Sequence, residues 1–194
     1  MTRGQTPSQT VGPYFAYGLT PEQYRYAYGS VFGPALARPH AAGAHIRIVG
    51  QVLDGEGVPI NDALVEILQA DAAGRYVGSA AQAEADGFTG FGRCGTGADD
   101  RLEFAFATVK PGAVDGEAPH VDVVLTMRGL LSHAFTRIYF SDEAAANARD
   151  PLLQSVPAER RDTLIAQRSD LPGGVIYRFD IHMQGDRETV FLDL

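Results

Sequence analysis

A succession of short runs rich in β-branched and aromatic residues, several alternating with polar ones and bounded by Gly, Asp or Pro, constrains this chain to a layered sheet. The runs cover residues 45–53 (HIRIVGQVL), 63–69 (ALVEILQ), 102–109 (LEFAFATV), 121–127 (VDVVLTM), 134–140 (AFTRIYF), 175–182 (VIYRFDIH) and 189–192. Each is a typical strand length, and together they predict a mainly β protein, an antiparallel β-sandwich with short helices. The Asp54-Gly55-Glu56-Gly57 cluster between the first two runs predicts a hairpin. Helical patterns interrupt at 142–147 and at 157–168, where Pro157 suits a first turn. Tyr24, Tyr26 and Tyr28 alternate in a segment expected to be an edge strand or a loop packed on its own body, with an intersubunit contact as a further use for tyrosines. No linker composition divides the chain, so one domain is expected over residues 1–194.

The formal net charge of −8 disfavours nucleic acid and anionic membranes as partners. It also disfavours long-range capture of an anionic ligand, so any carboxylate substrate needs a local cation, and Arg128 is the candidate. The single cysteine, Cys94, has no partner within the chain and reads as a packing residue. The opening residues carry no apolar signal-peptide region, and no apolar run approaches the ~20 residues of a membrane span, from which a cytoplasmic location is expected.

In the run at 120–128, residues two apart share a face. Val121, Val123, Leu125 and Met127 form the core side, while His120, Asp122, Val124, Thr126 and Arg128 form the other. A histidine and a carboxylate therefore stand side by side. Upstream lie Lys110-Pro111-Gly112-Ala113-Val114 and Ala70-Asp71-Ala72-Ala73-Gly74-Arg75-Tyr76.

These segments resemble the intradiol ring-cleavage dioxygenases over residues 6–14, 45–93, 102–148 and 160–194, leaving roughly 18–43 without a counterpart. In that family ferric iron is held by two tyrosinates and two histidines: one tyrosine in the Ala-x-Ala-x-Gly-x-Tyr segment, one two residues after Lys-Pro-Gly, and a His-x-His pair. Here Tyr76 and His120 match, whereas Val114 and Asp122 replace the other tyrosine and histidine. Glu117 and Arg137 also depart from the family pattern, and Arg137 is expected to fill the vacated space and pair with Asp122 or Glu117.

The resemblance is to the subunits that keep the fold and bind no iron, so no catalytic residue is expected on this chain alone, and Tyr76, Val114, His120 and Asp122 are vestigial ligand positions. It implies that Fe(III) is bound by a homologous beta partner in a higher oligomer of alpha-beta pairs, with O2 and a small aromatic catechol as substrates. The segment Thr6-Pro7-Ser8-Gln9-Thr10-Val11-Gly12-Pro13-Tyr14 then reaches toward the partner, and Gly12, Pro13, Tyr14 and Arg128 are substrate-binding residues. Two readings compete: an autonomous metalloprotein using Tyr76, His120 and Asp122, and a β-sandwich binding module without a catalytic role.

Overall fold

The computed structural model describes residues 4–12 and 14–193. Its strands are β1 (His45–Leu53), β2 (Leu64–Leu68), β3 (Phe91–Gly95), β4 (Glu103–Val109), β5 (His120–Thr126), β6 (Ala134–Phe140), β7 (Ile165–Leu171), β8 (Gly174–Arg178) and β9 (Ile181–His182). Its α-helices are α1 (Phe15–Leu19), α2 (Ala80–Asp86), α3 (Ala144–Asn147) and α4 (Pro151–Ser155). The ladder runs β3-β2-β5-β6-β7-β8-β1-β4, with β9 beside β1. Buried residues of β1, β4 and β8 (Ile48, Phe106, Tyr177) join those of β2, β5 and β6 (Ile67, Val123, Phe140) in one core cluster, so the ladder closes into two facing layers. A smaller cluster, Ala118, Tyr139, Leu153, Val156 and Leu164, packs α4 and the following 3-10 turn over the end of β5 and β6.

The mainly β sandwich with short helices is therefore what forms, with two differences in detail. The pairings β1·β8, β6·β7 and β1·β9 are parallel, so the sheet is mixed. Parallel neighbours need a long crossover, and residues 141–164 supply one between β6 and β7. The hairpin expected between 45–53 and 63–69 does not form as a strand pair. The turn is real, since Asp54 N–H donates to Val58 O at 3.0 Å and Ile60 N–H to Val52 O at 2.8 Å. Beyond it the chain crosses layers, and β2 pairs with β3 and β5 while β1 pairs with β4 and β8. A Gly/Asp turn specifies reversal, and alternation specifies one buried face, but neither specifies which layer receives that face.

The predicted helix at 157–168 is a 3-10 turn over Ala158–Leu164 that passes directly into β7. The run at 175–182 breaks into β8 and β9, and 189–192 contributes a single bridge, Leu192 to Phe135. Tyr24 closes a 3-10 turn (Pro21–Tyr24) and packs edge-on against Tyr17 at 4.4 Å between ring centroids, so the tyrosine segment is a loop folded on its own body. Cys94 is buried in the core. Among the described residues, no helix is long and apolar enough to cross a membrane.

Candidate functional site

The positions expected to be vestigial ligands, Tyr76, Val114, His120 and Asp122, come from two loops and β5, and β6 adds Arg137 beside them. In the loop before Tyr76, the Asp71 carboxylate accepts from Ala73 N–H at 2.8 Å and Arg75 N–H at 2.9 Å, which reverses the chain through Gly74 at φ 77°. A Cβ on Gly74 would stand 2.0 Å from Ala113 O, so glycine lets this loop seat on the Lys-Pro-Gly turn. Gly112 N–H donates to Asp71 O at 2.9 Å across the same contact. Lys110 ties the turn to the body by donating to Asp142 at 2.8 Å and Glu143 at 2.6 Å. Val114 then closes a tight turn by accepting from Glu117 N–H at 2.7 Å.

His120 opens β5, and Asp122 follows on the same face, as the alternation predicts. Asp122 lies directly opposite Arg137 of β6. The Arg137 guanidinium donates through Nε to Asp122 Oδ1 at 2.9 Å and through Nη1 to Glu117 Oε2 at 3.0 Å, and its side chain is 12% exposed. Both expected pairings thus occur together. Burial works against the charge of Arg137, but its carboxylate and tyrosine neighbours outweigh burial and raise its pKa further. His120 is buried, with Nδ1 2.7 Å from Ala118 O and Nε2 3.6 Å from Glu117 Oε2. The Tyr76 phenol is pushed above its usual range by burial and then by the Asp122 charge, with Arg137 opposing.

These residues do not fit ferric iron. Of the four ligand positions in the family pattern, only Tyr76 and His120 keep a tyrosine or a histidine. Both added carboxylates are committed to a guanidinium that does not deprotonate, and a trivalent cation at this point would face that fixed positive charge. Among the described residues, no three His, Cys, Asp or Glu side chains come together in a metal-holding geometry.

The other expected site residues lie elsewhere. Arg128 follows the end of β5, six residues beyond Asp122, which is about 20 Å along an extended strand. It lines a cleft of about 500 Å³ together with Val11, Gly12, Tyr17, Tyr24 and Asp62. The structure therefore brings Gly12 and Arg128 together and separates both from the Tyr76, Val114, His120 and Asp122 cluster. Tyr14 is 77% exposed and points its ring toward Tyr17 at 5.9 Å between centroids rather than lining this cleft. Pro13 lies outside the described residues. Arg128 pairs through Nε with Asp62, while its two terminal nitrogens make no hydrogen bond among the described residues. Asp62 gave no signal in the sequence, being one acid in a polar loop. It is fixed there because neighbouring Ala63 is bound on both sides to Thr96, whose hydroxyl also donates to Ile60 O at 2.6 Å. The cleft is open at the surface, and its lining combines the aromatic rings of Phe15, Tyr17 and Tyr24 with the carboxylates of Asp62, Asp99 and Asp100 beside Arg128.

Comparison with known proteins places these features. The profile of the family described as dioxygenase matches residues 35–185. The chain is 57% identical to the protocatechuate 3,4-dioxygenase alpha chain of Burkholderia cepacia, an alignment covering 100% of this chain and 99% of that one. It is 35% identical to the protocatechuate 3,4-dioxygenase beta chain of the same organism, over 87% of this chain and 80% of that one. Among solved structures, the dioxygenase domain of a carbohydrate-binding fusion protein from Streptomyces sp. SirexAA-E shares the fold, with a TM-score of 0.60 at 24% identity over 92% of this chain and 97% of that one.

Proposed function

Because this chain belongs to the dioxygenase family of intradiol ring-cleaving proteins, we propose that it is the alpha-type chain of a protocatechuate 3,4-dioxygenase, active only when paired with a homologous beta chain. The pair converts 3,4-dihydroxybenzoate and O2 to 3-carboxy-cis,cis-muconate. The ring bond between the two hydroxylated carbons breaks, and both oxygen atoms enter the product as parts of the two new carboxylates. Ferric iron, held by the beta chain and not by this one, supplies the redox chemistry when bound.

The observation that carries the reading is the separation of the two sites. The arm residue Gly12 and the cation Arg128 share a cleft about 20 Å from the place where this chain's own metal would have been. Residues gathered there serve a site completed by another chain. In the pair, Gly12, Pro13 and Tyr14 form part of the pocket wall, and the free terminal nitrogens of Arg128 meet the ring carboxylate. A guanidinium suits that task because its planar fork matches a carboxylate and keeps its charge against the overall −8 field. Arg137, by contrast, closes the vestigial site with a fixed cation.

Co-purification of the chain with its beta partner tests this, with iron and subunits counted together. The expected stoichiometry is one iron per alpha-beta pair, with none on the separated alpha chain. A tightly held iron on this chain alone, with ring cleavage, overturns the reading and favours the autonomous metalloprotein.

A further inference from the structure

Residues 4–12 run along the outside of the body, and all but Val11 are exposed. Apart from the local turn in which Phe15 N–H donates to Gly12 O at 3.1 Å, one hydrogen bond among the described residues joins this stretch to the body: Gly129 N–H donates to Thr10 Oγ1 at 2.8 Å. Gly129 adopts φ 94°, and no neighbour lies within 4 Å of a Cβ placed there, so this turn demands glycine by conformation rather than by space. The residue before it is Arg128. Ser8, Gln9 and Val11 share a further cleft with Met127, Leu131 and His133, so the arm crosses the turn that carries both Gly129 and Arg128.

We propose that Thr10 is a positioning residue that sets the register of the N-terminal arm against the Arg128 turn, so that the arm and the guanidinium enter the partner's substrate pocket as one unit. The physical reason is the spacing of the extended chain. A slip of one residue moves Gly12 by about 3.3 Å, enough to displace a pocket wall, and it brings opposite the Gly129 N–H either Val11, which has no side-chain acceptor, or Gln9, whose amide oxygen sits on a longer side chain than the Thr10 hydroxyl. Thr10 offers an acceptor at the one register in which Gly12 borders the Arg128 cleft. The contact is exposed, so removing it frees an N–H to water and leaves the core untouched.

This inference rests on the pocket-lining role proposed for the arm, and the test separates the two. In the co-expressed alpha-beta enzyme, Thr10→Val is expected to raise KM for 3,4-dihydroxybenzoate roughly 2- to 12-fold, the range spanned by one neutral hydrogen bond. Iron content, assembly and thermal midpoint should remain those of the parent enzyme. Thr10→Ser, which keeps the hydroxyl, should restore KM. If Thr10→Val leaves KM unchanged while deletion of residues 1–14 damages turnover, the arm reading stands and the role given to Thr10 is wrong. A Thr10→Ser variant as impaired as Thr10→Val also overturns it, since the hydroxyl would then not be the cause. Full turnover after the deletion removes the arm reading and this inference with it.

Discussion

Replacing Arg137 with methionine, which keeps the length of the side chain and removes its charge, is expected to destabilise the chain without touching iron chemistry. Arg137 is 12% exposed and holds Asp122 and Glu117, whose side chains are 30% and 35% exposed. Breaking a fully buried pair from one side costs about 3–5 kcal/mol, because the remaining charge is left uncompensated. Partial solvation of both carboxylates lowers that figure here to about 2–3 kcal/mol. For a domain of this length the loss corresponds to a fall of about 5–10 °C in thermal midpoint, read by circular dichroism at fixed protein concentration. The asymmetry of charged clusters supplies a second arm. Adding Asp122→Asn and Glu117→Gln to Arg137→Met removes all three charges together and should recover at least half of the loss. Iron per alpha-beta pair should stay the same in every variant. A single-variant loss below about 1 kcal/mol, or no recovery in the triple variant, would refute the role of Arg137 as the cation that closes this site.

Deletion of residues 1–14 should leave far-UV circular dichroism nearly unchanged and severely reduce turnover of the paired enzyme; full-rate turnover contradicts the pocket-wall role of Gly12, Pro13 and Tyr14. Arg128→Ala should retain iron and assembly but lower kcat/KM for 3,4-dihydroxybenzoate about 10- to 100-fold, with much less effect on catechol, which lacks the carboxylate. An unchanged ratio between the two substrates returns Arg128 to a surface ion pair with Asp62. Asp142 gives a pH prediction. Burial alone would raise its carboxyl pKa, but hydrogen bonds from Lys110, Arg168 and Tyr177 hold it down at about 2. A depressed native pKa means stability that is present above the unfolded value near 4 and lost as pH falls toward 2. Asp142→Asn should therefore cost about 1 kcal/mol at pH 7 after allowance for partial exposure, and the difference from the parent should vanish in urea titrations near pH 2.

The sheet was legible because its period is two: the core face of β5 was readable from alternation alone, and its burial pattern follows it from Val121 to Thr126, His120 being buried on the opposite face. What alternation does not encode is the partner, which is why β1 and β2 could be read as strands and still be placed in different layers from those expected. The short elements were missed for another reason. The strand β7 carries a polar sequence, IAQRSDL, and is held mainly by backbone pairing with β8, so its hydrophobic pattern is weak. Helix α2 did carry local signals, with Ser79 capping Gln82 N–H and Gly87 at φ 64° ending it, but its seven residues present no buried face. In the site, Arg137 with Glu117 and Asp122 was readable because the changed residues were complementary in charge. Asp62 and Thr10 were not, since each acts through a single contact with a residue far away in sequence.

The way the vestigial site is closed has a consequence for how the pair is made. A site that needs a metal to complete its donor set couples folding to metal supply, because ligands brought together without the ion leave unpaired charge or unpaired polar groups. Here the cation is a side chain on β6 and its main anionic partner stands directly opposite on β5, so forming the ladder forms the ion pair. Glu117 is added by the Val114 turn, itself seated on the loop that carries Tyr76. The charges of Asp122 and Glu117 are therefore compensated from within the chain, with no bound cation needed for that purpose. The proposed separation of roles fits the same geometry: beyond the end of β5, away from the closed site, Arg128, Val11 and Gly12 line an open cleft that the proposed pairing with a beta chain would complete.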